Sequence, residues 1–259
     1  MNKNTETGPD LAARHEAESR FHDHKYGEGE GYPRHYAVRP TYPVFERMLE
    51  MAGDLSGRSV LEYGCGEGWI TRELAARGAR VDAFDISAEA VRKTHEVLAA
   101  KDLADRCTIR QMGGEKLDYA DASFDVAFGF AIIHHLDLAL ALPELHRVLK
   151  PGGVAWFAEP LATNPLINVY RRLTPQYRTA DEKPLNLRIL AKSLESFSYV
   201  HHTDFYVTAL LAVGLSYLPW GVEMFRWACP PLMSFDRKLL SMAPGLGRFA
   251  WYTVLEIRR

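Results

Sequence analysis

The stretch VLEYGCGEGWI, Val60 to Ile70, places alternate glycines directly after an apolar run and before residues that suit a helix. Glycine weakens regular structure, and its use is to let the backbone turn sharply or approach another group closely. Alternate glycines at this place therefore predict a tight turn that faces a ligand. We expect a strand over 59–63 and a helix over 66–77, with Gly78 as the C-cap of that helix.

Strand-like and helix-like segments alternate on both sides of this turn. Strand composition recurs at residues 59–63, 80–85, 107–112, 124–130 and 154–159. Ser87 and Asp137 are the expected N-caps of two intervening helices. Strands that alternate with helices favour a parallel sheet covered on both faces.

The last two strand-like segments, near 199–207 and 248–257, are separated by about 40 residues. Hairpin loops are normally two to five residues long, so this spacing indicates an insertion in the last hairpin. We expect an α/β fold with a Rossmann-like, seven-stranded, mostly parallel sheet, helices on both faces and an antiparallel last strand.

Composition excludes several classes of protein. Hydrophobic residues make up 47% of the 259 residues, charged residues make up 25%, and the formal net charge is −2. Lys and Arg are scattered, so no basic stripe indicates nucleic acid as a partner. The three cysteines lack the spacing of a disulfide framework, and the polar N-terminal residues lack the apolar core of a secretory signal. We expect a cytoplasmic location.

One apolar stretch, residues 209–222, requires a membrane check. It is about 14 residues long and contains Pro219, whereas a spanning helix needs about 20 apolar residues. We expect no stable membrane insertion and interpret the stretch as a buried helix or a wall of the substrate pocket.

The glycine turn fits one kind of nucleotide better than another. A dinucleotide-binding turn has the pattern G-x-G-x-x-G, and its third glycine position holds Trp69 in this sequence. Glu62 at the strand end would also repel a pyrophosphate. S-adenosylmethionine carries no phosphate, and its sulfonium and ammonium groups suit an acidic strand end. Asp85 ends the next strand at the distance expected of a carboxylate that accepts hydrogen bonds from ribose hydroxyls.

The run E-Y-G-C-G-E-G, Glu62 to Gly68, resembles motif I of the class I S-adenosylmethionine-dependent methyltransferases of the small-molecule type. The resemblance covers about residues 55–160, including GGEKLDYADASFDVAFGFAIIHHL and RVLKPGG. It implies S-adenosyl-L-methionine as the cofactor and methyl transfer as the activity. Gly113 departs from the pattern, because many relatives carry an acidic residue there. The cofactor-binding residues that the resemblance implies are Glu62, Gly64, Cys65, Gly66, Asp85, Ile86, Gly114, Glu115, Phe130, Tyr26 and Tyr36.

We expect three regions along the chain. Residues 1–42 hold an N-terminal helix, over 10–21, and an aromatic segment interpreted as an ordered loop that covers the cofactor. Residues 43–160 form the cofactor-binding core. Residues 161–259 supply substrate-side helices, the apolar insertion and the last two strands. The N-terminal helix, taken as detached, is a candidate contact for a homo-oligomer.

The catalytic candidates are His134, His135 and Glu159, which follow strands four and five at the edge where open α/β sheets bind ligands. A base is required only where the acceptor must lose a proton. We assign no metal site, because adjacent histidines point in different directions and further ligands are not evident. His22 and His24 are interpreted as loop residues with local hydrogen bonds.

The apolar insertion favours a lipophilic small molecule as methyl acceptor, such as a secondary metabolite, an isoprenoid, an aromatic compound or a lipid. Two other classes of function remain open. One is a protein that binds S-adenosylmethionine without transferring a methyl group, and the other is an oxidoreductase, which Trp69 disfavours. A protein methyltransferase is an alternative within the enzyme class. Strand four is followed by GFAI rather than a motif of the N-P-P-Y type, which disfavours nucleic acid.

Overall fold

A computed structural model describes residues 8–27, 43–179 and 182–259. Helices and strands alternate through the central part of the chain, and two helices separate the last two strands. Their bounds are α1 Gly8–Gly27, α2 Pro43–Ala52, β1 Ser59–Tyr63, α3 Trp69–Ala76, β2 Arg80–Asp85, α4 Ala88–Ala99, β3 Cys107–Gln111, β4 Phe124–Phe130, α5 Leu138–Val148, β5 Leu149–Pro160, α6 Pro165–Leu173, α7 Leu187–Ser193, β6 Tyr199–Phe205, α8 Leu210–Leu215, α9 Gly221–Met242 and β7 Tyr252–Arg258.

The strands form one seven-stranded sheet in the order β3-β2-β1-β4-β5-β7-β6. The first five strands are parallel, and β7 runs antiparallel between β5 and β6. The expected fold class is confirmed. Since β1 lies at the point where the strand order reverses, the loops after β1, β2 and β4 meet at one edge of the sheet, where open α/β folds bind ligands.

Local signals explain where the helices of this edge begin. The Ser87 hydroxyl accepts a hydrogen bond from the N–H of Ala90 at the start of α4, and Asp137 accepts one from the N–H of Ala139 at the start of α5. Each cap satisfies a backbone donor that has no partner within its helix. Apolar cores on the two faces of the sheet then hold the helices against it.

The first helix differs from the sequence expectation. It continues through His22, His24 and Tyr26 to Gly27, so these residues lie on a helix rather than in a loop. Its anchor is Asp23, whose carboxylate accepts hydrogen bonds from the Ser87 hydroxyl and from a backbone N–H of α4. The helix therefore packs against α4 of its own chain and is not detached, which removes the reason for expecting it to contact a second subunit.

The apolar insertion forms α8 and α9, which pack against each other, α2 and β6. None of its residues lines the cavity described below, so its expected place as a pocket wall is not what the structure shows. It exposes several large apolar side chains, among them Trp220, Trp227 and Met242. Within the described ranges, we find no helix with both the length and the apolar composition of a membrane span.

Glu62 is buried beneath the glycine turn, between β1 and α3. Only 1% of its surface is exposed, and neither carboxylate oxygen has a hydrogen-bond partner in the described part of the chain. Burial raises the pKa of Glu62 from its usual 4.5 to about 8, against the lowering effect of the Thr71 hydroxyl and with a smaller raising effect of the Asp85 charge. Desolvation disfavours the charged form, so this environment favours the neutral Glu62 carboxyl.

The first prediction concerns Gly68, which precedes α3 with a φ of +74°. A Cβ there would lie 2.9 Å from the Cα of Thr94, whereas a Cβ on Gly152, at φ +77°, would meet nothing within 4 Å. We expect Gly152→Ala to cost about 1 kcal/mol of folding free energy from backbone strain alone. Gly68→Ala should cost about 1–3 kcal/mol more because the backbone of α4 must move. Urea unfolding measures both, and equal costs would contradict the close packing.

The second prediction concerns the pH dependence of stability. Because the folded-state pKa of Glu62 lies above its unfolded value, its contribution to stability is complete below about pH 4.5 and is lost as the pH rises to about 8. The slope is at most ~1.4 kcal/mol per pH unit. Glu62→Gln should therefore flatten the decline measured by urea unfolding across this window. Glu50→Gln on the exposed side of α2 is the control, and an unchanged slope in Glu62→Gln would contradict the prediction.

Candidate active site

A cavity of about 560 Å³ opens at the carboxyl ends of β1, β2 and β4. Helix α1 covers one side of it, and residues from α6, the loop after α6 and β7 form the far side. This volume is within the range of small-molecule sites. Most residues predicted to bind a cofactor line this one cavity: Gly64, Cys65, Gly66, Asp85, Ile86, Gly114, Glu115, Phe130 and Tyr26.

Asp85 holds the glycine turn in place. One carboxylate oxygen accepts a hydrogen bond from the N–H of Gly66 at 2.9 Å, and the other accepts one from the N–H of Ser87 at 3.0 Å. Gly64 and Gly66 both have positive φ, and a Cβ on Gly66 would meet the Tyr26 hydroxyl at 3.1 Å. A Cβ on Gly64 would likewise meet the Ile132 side chain at 3.0 Å, so Ile132 and Tyr26 pack closely against the turn at these two glycines.

Two predicted residues stand apart from the cavity wall. Glu62 lies beneath the turn and does not line the cavity. Tyr36 is outside the described residues. Cys65 lines the cavity, but burial raises the pKa of its thiol well above the ordinary value. A protonated, buried thiol is a poor nucleophile, in agreement with a packing role for this side chain.

Glu115 connects the loop after β3 to the covering helix. Its carboxylate is 2.8 Å from His15 Nε2, 3.7 Å from a guanidinium nitrogen of Arg14, and accepts a hydrogen bond from the N–H of Asp137. The His15 ring also occupies the space beside Gly113, where a Cβ would lie 2.6 Å from Cε1. Gly113, where many relatives carry an acidic residue, therefore leaves the space that the His15 ring of α1 occupies.

The catalytic candidates Glu159 and His134 form a buried pair. Glu159 Oε2 lies 2.7 Å from His134 Nδ1, and Glu159 Oε1 accepts hydrogen bonds from the N–H groups of Ile132 and Ile133. Burial raises the pKa of Glu159 to about 7, against the lowering effect of those backbone donors. Glu159 is fully buried and does not line the cavity, whereas His134 does. The carboxylate thus orients the imidazole from behind.

The third catalytic candidate, His135, faces Glu18 of α1, whereas His134 faces Glu159. Its Nδ1 lies 3.6 Å from Glu18 Oε2, and His22 Nε2 lies 3.4 Å from the same oxygen. Burial lowers the pKa of His135, and the neighbouring His134 lowers it further. The backbone carbonyl of His135 accepts a hydrogen bond from Arg14, which fixes the short 3₁₀ turn that carries both histidines.

The far side of the cavity combines aromatic side chains with two arginines. Arg171 donates through Nη1 to the Leu161 carbonyl and to Asn168 Oδ1, both at 2.9 Å. Burial lowers the pKa of Arg171 to about 10. Arg178 Nε is 3.4 Å from Glu182 Oε1. The apolar and aromatic lining here comes from Ile167, Tyr170, Tyr177, Trp251 and Tyr252.

The sequence reasoning missed four of these side chains: His15, Glu18, Arg14 and Arg171. For Glu18 a signal was available, because Glu18 and His22 have i, i+4 spacing and share one face of a helix. Interpreting the segment after Phe21 as a loop concealed that spacing. Arg14 and His15 carry no local signal, since their partners are distant in the sequence. Arg171 has a local partner in Asn168, but this i, i+3 contact gives no sign that Arg171 lines a cavity.

Comparison with known proteins agrees with this geometry. A family model described as a methyltransferase domain matches residues 61–157. A malonyl-[acyl-carrier protein] O-methyltransferase of Pseudescherichia vulneris is 36% identical over 196 residues, which cover 75% of this chain and 66% of that relative. A sterol 4-C-methyltransferase of Caenorhabditis elegans is 30% identical over 136 residues, which cover 52% of this chain and 40% of the relative. The chain spans about half, 41% to 58%, of the length of five other bacterial malonyl-[acyl-carrier protein] O-methyltransferases that it matches.

A solved structure shows the same fold. The Haemonchus contortus phosphoethanolamine N-methyltransferase 2 in complex with S-adenosyl-L-methionine superposes with a TM-score of 0.63 at 17% identity, covering 84% of this chain and 52% of that one. At this identity the likeness concerns the fold alone. Together with the sequence matches, the sheet order and the glycine turn joined to Asp85, it shows that the chain belongs to the class I S-adenosylmethionine-dependent methyltransferases.

Proposed function

We propose that this chain transfers a methyl group to a small acceptor with an apolar body and an anionic group. The observation that carries the proposal is the cavity, in which the glycine turn and Asp85 form one end and the aromatic side chains with Arg171 form the other. S-adenosylmethionine, when bound, supplies a methyl group already activated by its sulfonium. The protein then has mainly to align the acceptor, and alignment of this kind is worth several kcal/mol.

The cofactor end suits a cationic nucleoside. Asp85 already accepts two backbone hydrogen bonds, yet each carboxylate oxygen has a second lone pair that can accept from a ribose hydroxyl. Gly64 and Gly66 form the tight turn at this end, with Ile132 and Tyr26 packed against it, while Ile86, Gly114 and Phe130 line the same end. In this proposal Glu115 faces the adenine side, whereas Glu62 supports the turn from beneath and does not contact the cofactor.

The acceptor end supports a lipophilic molecule with a charged group. Trp251 and Tyr252 offer apolar surface, and two relatives are named for a sterol and for ubiquinone biosynthesis. Arg171 adds a requirement, because desolvation of this half-buried guanidinium lowers its pKa to about 10 and makes its charge costly. A carboxylate or phosphate on the acceptor would offset that cost. The apolar insertion no longer supports this substrate class, since α8 and α9 lie away from the cavity.

His134 is the proposed base for an acceptor that must lose a proton. Its ring is oriented by Glu159, as in catalytic carboxylate–histidine pairs, and it lines the cavity. Residues 43–160 would hold the cofactor, and residues 161–259 would supply the acceptor side. All three cysteines are unpaired, which supports the proposed reducing, cytoplasmic compartment.

The third prediction tests the cofactor end by calorimetric titration with S-adenosylhomocysteine. Asp85→Asn removes the charge and one acceptor oxygen, and we expect at least a tenfold loss of affinity, about 1.4 kcal/mol. The matched control is Asp82→Asn on the same strand, which does not line the cavity and should leave the affinity unchanged. Equal affinity in wild type and Asp85→Asn would refute the ribose role.

The fourth prediction tests methyl transfer and the charged group together. Pairs of long-chain or aromatic acceptors that differ only in a carboxylate are incubated with S-adenosylmethionine, and release of S-adenosylhomocysteine is measured. We expect transfer to the carboxylate members, with KM raised about tenfold or more in Arg171→Met. Arg172→Met, on the exposed side of α6, is the control.

Two outcomes would contradict the proposal. Preference for the uncharged members, or an unchanged KM in Arg171→Met, would remove the anionic group from the proposal. Tight binding of S-adenosylhomocysteine without transfer to any acceptor would favour the alternative of a protein that binds the cofactor for another purpose. The affinity of Arg171→Met for S-adenosylhomocysteine should equal that of wild type, which separates an acceptor effect from misfolding.

A further inference from the structure

We propose that Glu18, His22 and His135 form a binding site for a divalent transition-metal ion at the cavity wall. One ligand atom from each residue lies within 4.8 Å of the ligand atoms of the other two. A carboxylate with two imidazoles is a donor set that holds Zn²⁺ and related ions of borderline softness. The expectation of no metal site is based only on the pairs His134 with His135 and His22 with His24. The fold instead brings Glu18, His22 and His135 together.

The separations between these groups fit metal ligands better than hydrogen bonds. The two histidine nitrogens lie 3.4 Å and 3.6 Å from the same oxygen, Glu18 Oε2. Elsewhere in this cavity, histidine–carboxylate hydrogen bonds are short: 2.7 Å between His134 and Glu159 and 2.8 Å between His15 and Glu115. Two ligands of one tetrahedral ion, each about 2.1 Å from it, lie roughly 3.4 Å apart.

The same side chains leave buried polar atoms unsatisfied. Glu18 is only 5% exposed, and its Oε1 has no hydrogen-bond partner in the described part of the chain. His22 Nδ1 and His135 Nδ1 are likewise buried without a hydrogen bond there. Buried polar atoms without partners are costly, and a bound ion is one of the explanations they call for. One of these atoms, His135 Nδ1, is a proposed ligand atom 3.6 Å from Glu18 Oε2, whereas His22 faces the same oxygen through Nε2.

The proposed site opens to the cavity, and neighbouring side chains support its ligands. All three residues line the cavity, so positions that the protein does not fill face the bound molecules. The His22 ring stacks on Tyr26, with centroids 5.8 Å apart, which limits its rotation. His134 and Glu182 lie next to His135 and offer a fourth ligand or a hydrogen-bond partner. The inference of a metal site does not depend on methyl transfer. Binding of a methyl acceptor through one of its oxygens by the ion would rest on the proposed function.

The fifth prediction tests the site with Zn²⁺ alone, added to the full chain after removal of metals with a chelator. Calorimetry should show one ion per chain in wild type, and Co²⁺ in its place should give the absorption of a four- or five-coordinate site. Glu18→Gln and His22→Gln, in α1, and His135→Gln, after β4, should each weaken binding about tenfold or more. Thermal unfolding of the metal-free variants shows that they are folded.

Two control variants separate this site from chance binding. His24→Gln changes an exposed histidine on the same helix, and His202→Gln changes the exposed histidine beside Asp204 on β6. Both should bind Zn²⁺ as wild type does. No binding by wild type, loss of binding in either control, or unchanged binding in the three site variants would overturn the inference. The acceptor assay of the fourth prediction, run on the same samples, keeps the outcomes distinct, because metal binding without methyl transfer would refute only the proposed function.

Discussion

The carboxylate of Asp85 is the interaction on which the rest of the site depends. One oxygen fixes the glycine turn through the N–H of Gly66, and the other accepts from the N–H of Ser87 before α4. The Ser87 hydroxyl caps α4 and donates to Asp23 of α1. One buried carboxylate therefore joins β2, the turn and α4, and through one hydroxyl it also places the helix that covers the cavity. Glu18 and His22 owe their position to this chain of contacts.

The elements near the glycine turn could be predicted because their signals are local. The strands at 59–63, 80–85 and 124–130 have the bounds expected of them, and the cap Ser87 is evident directly from the sequence. The end of α1 could not be predicted in the same way. Its last residues are rich in His, aromatic side chains and Gly, a composition typical of loops, and contacts with α4 keep them helical. Tertiary packing overrides weak local propensity at such places.

The residues of the candidate site form the same two groups, those with a local sequence signal and those without one. Asp85 follows the glycine turn at a fixed spacing, so the sequence alone predicts its place beside the turn. His15 and Glu115 meet although 100 residues separate them, and Glu18 meets His135 across a similar distance. No local pattern predicts which distant side chains will face each other across a cavity. Arg171 differs again, because its significance lies in its burial, which only the packing of α6 reveals.

The charges of the cavity constrain the acceptors that it would favour. Asp85 and Glu115 lie at the proposed cofactor end, with Arg14 beside Glu115, and Arg171 and Arg178 lie at the other end, with Glu182 beside Arg178. Forming a new pair of opposite charges in a partly buried site costs free energy, whereas neutralising two opposite charges there is favourable. Methyl transfer from a sulfonium to an anionic acceptor cancels charge and needs no base, whereas a neutral hydroxyl or amine must also lose a proton. His134, oriented by Glu159, would thus matter for neutral acceptors and Arg171 for anionic ones, so the two side chains separate the acceptor classes by charge.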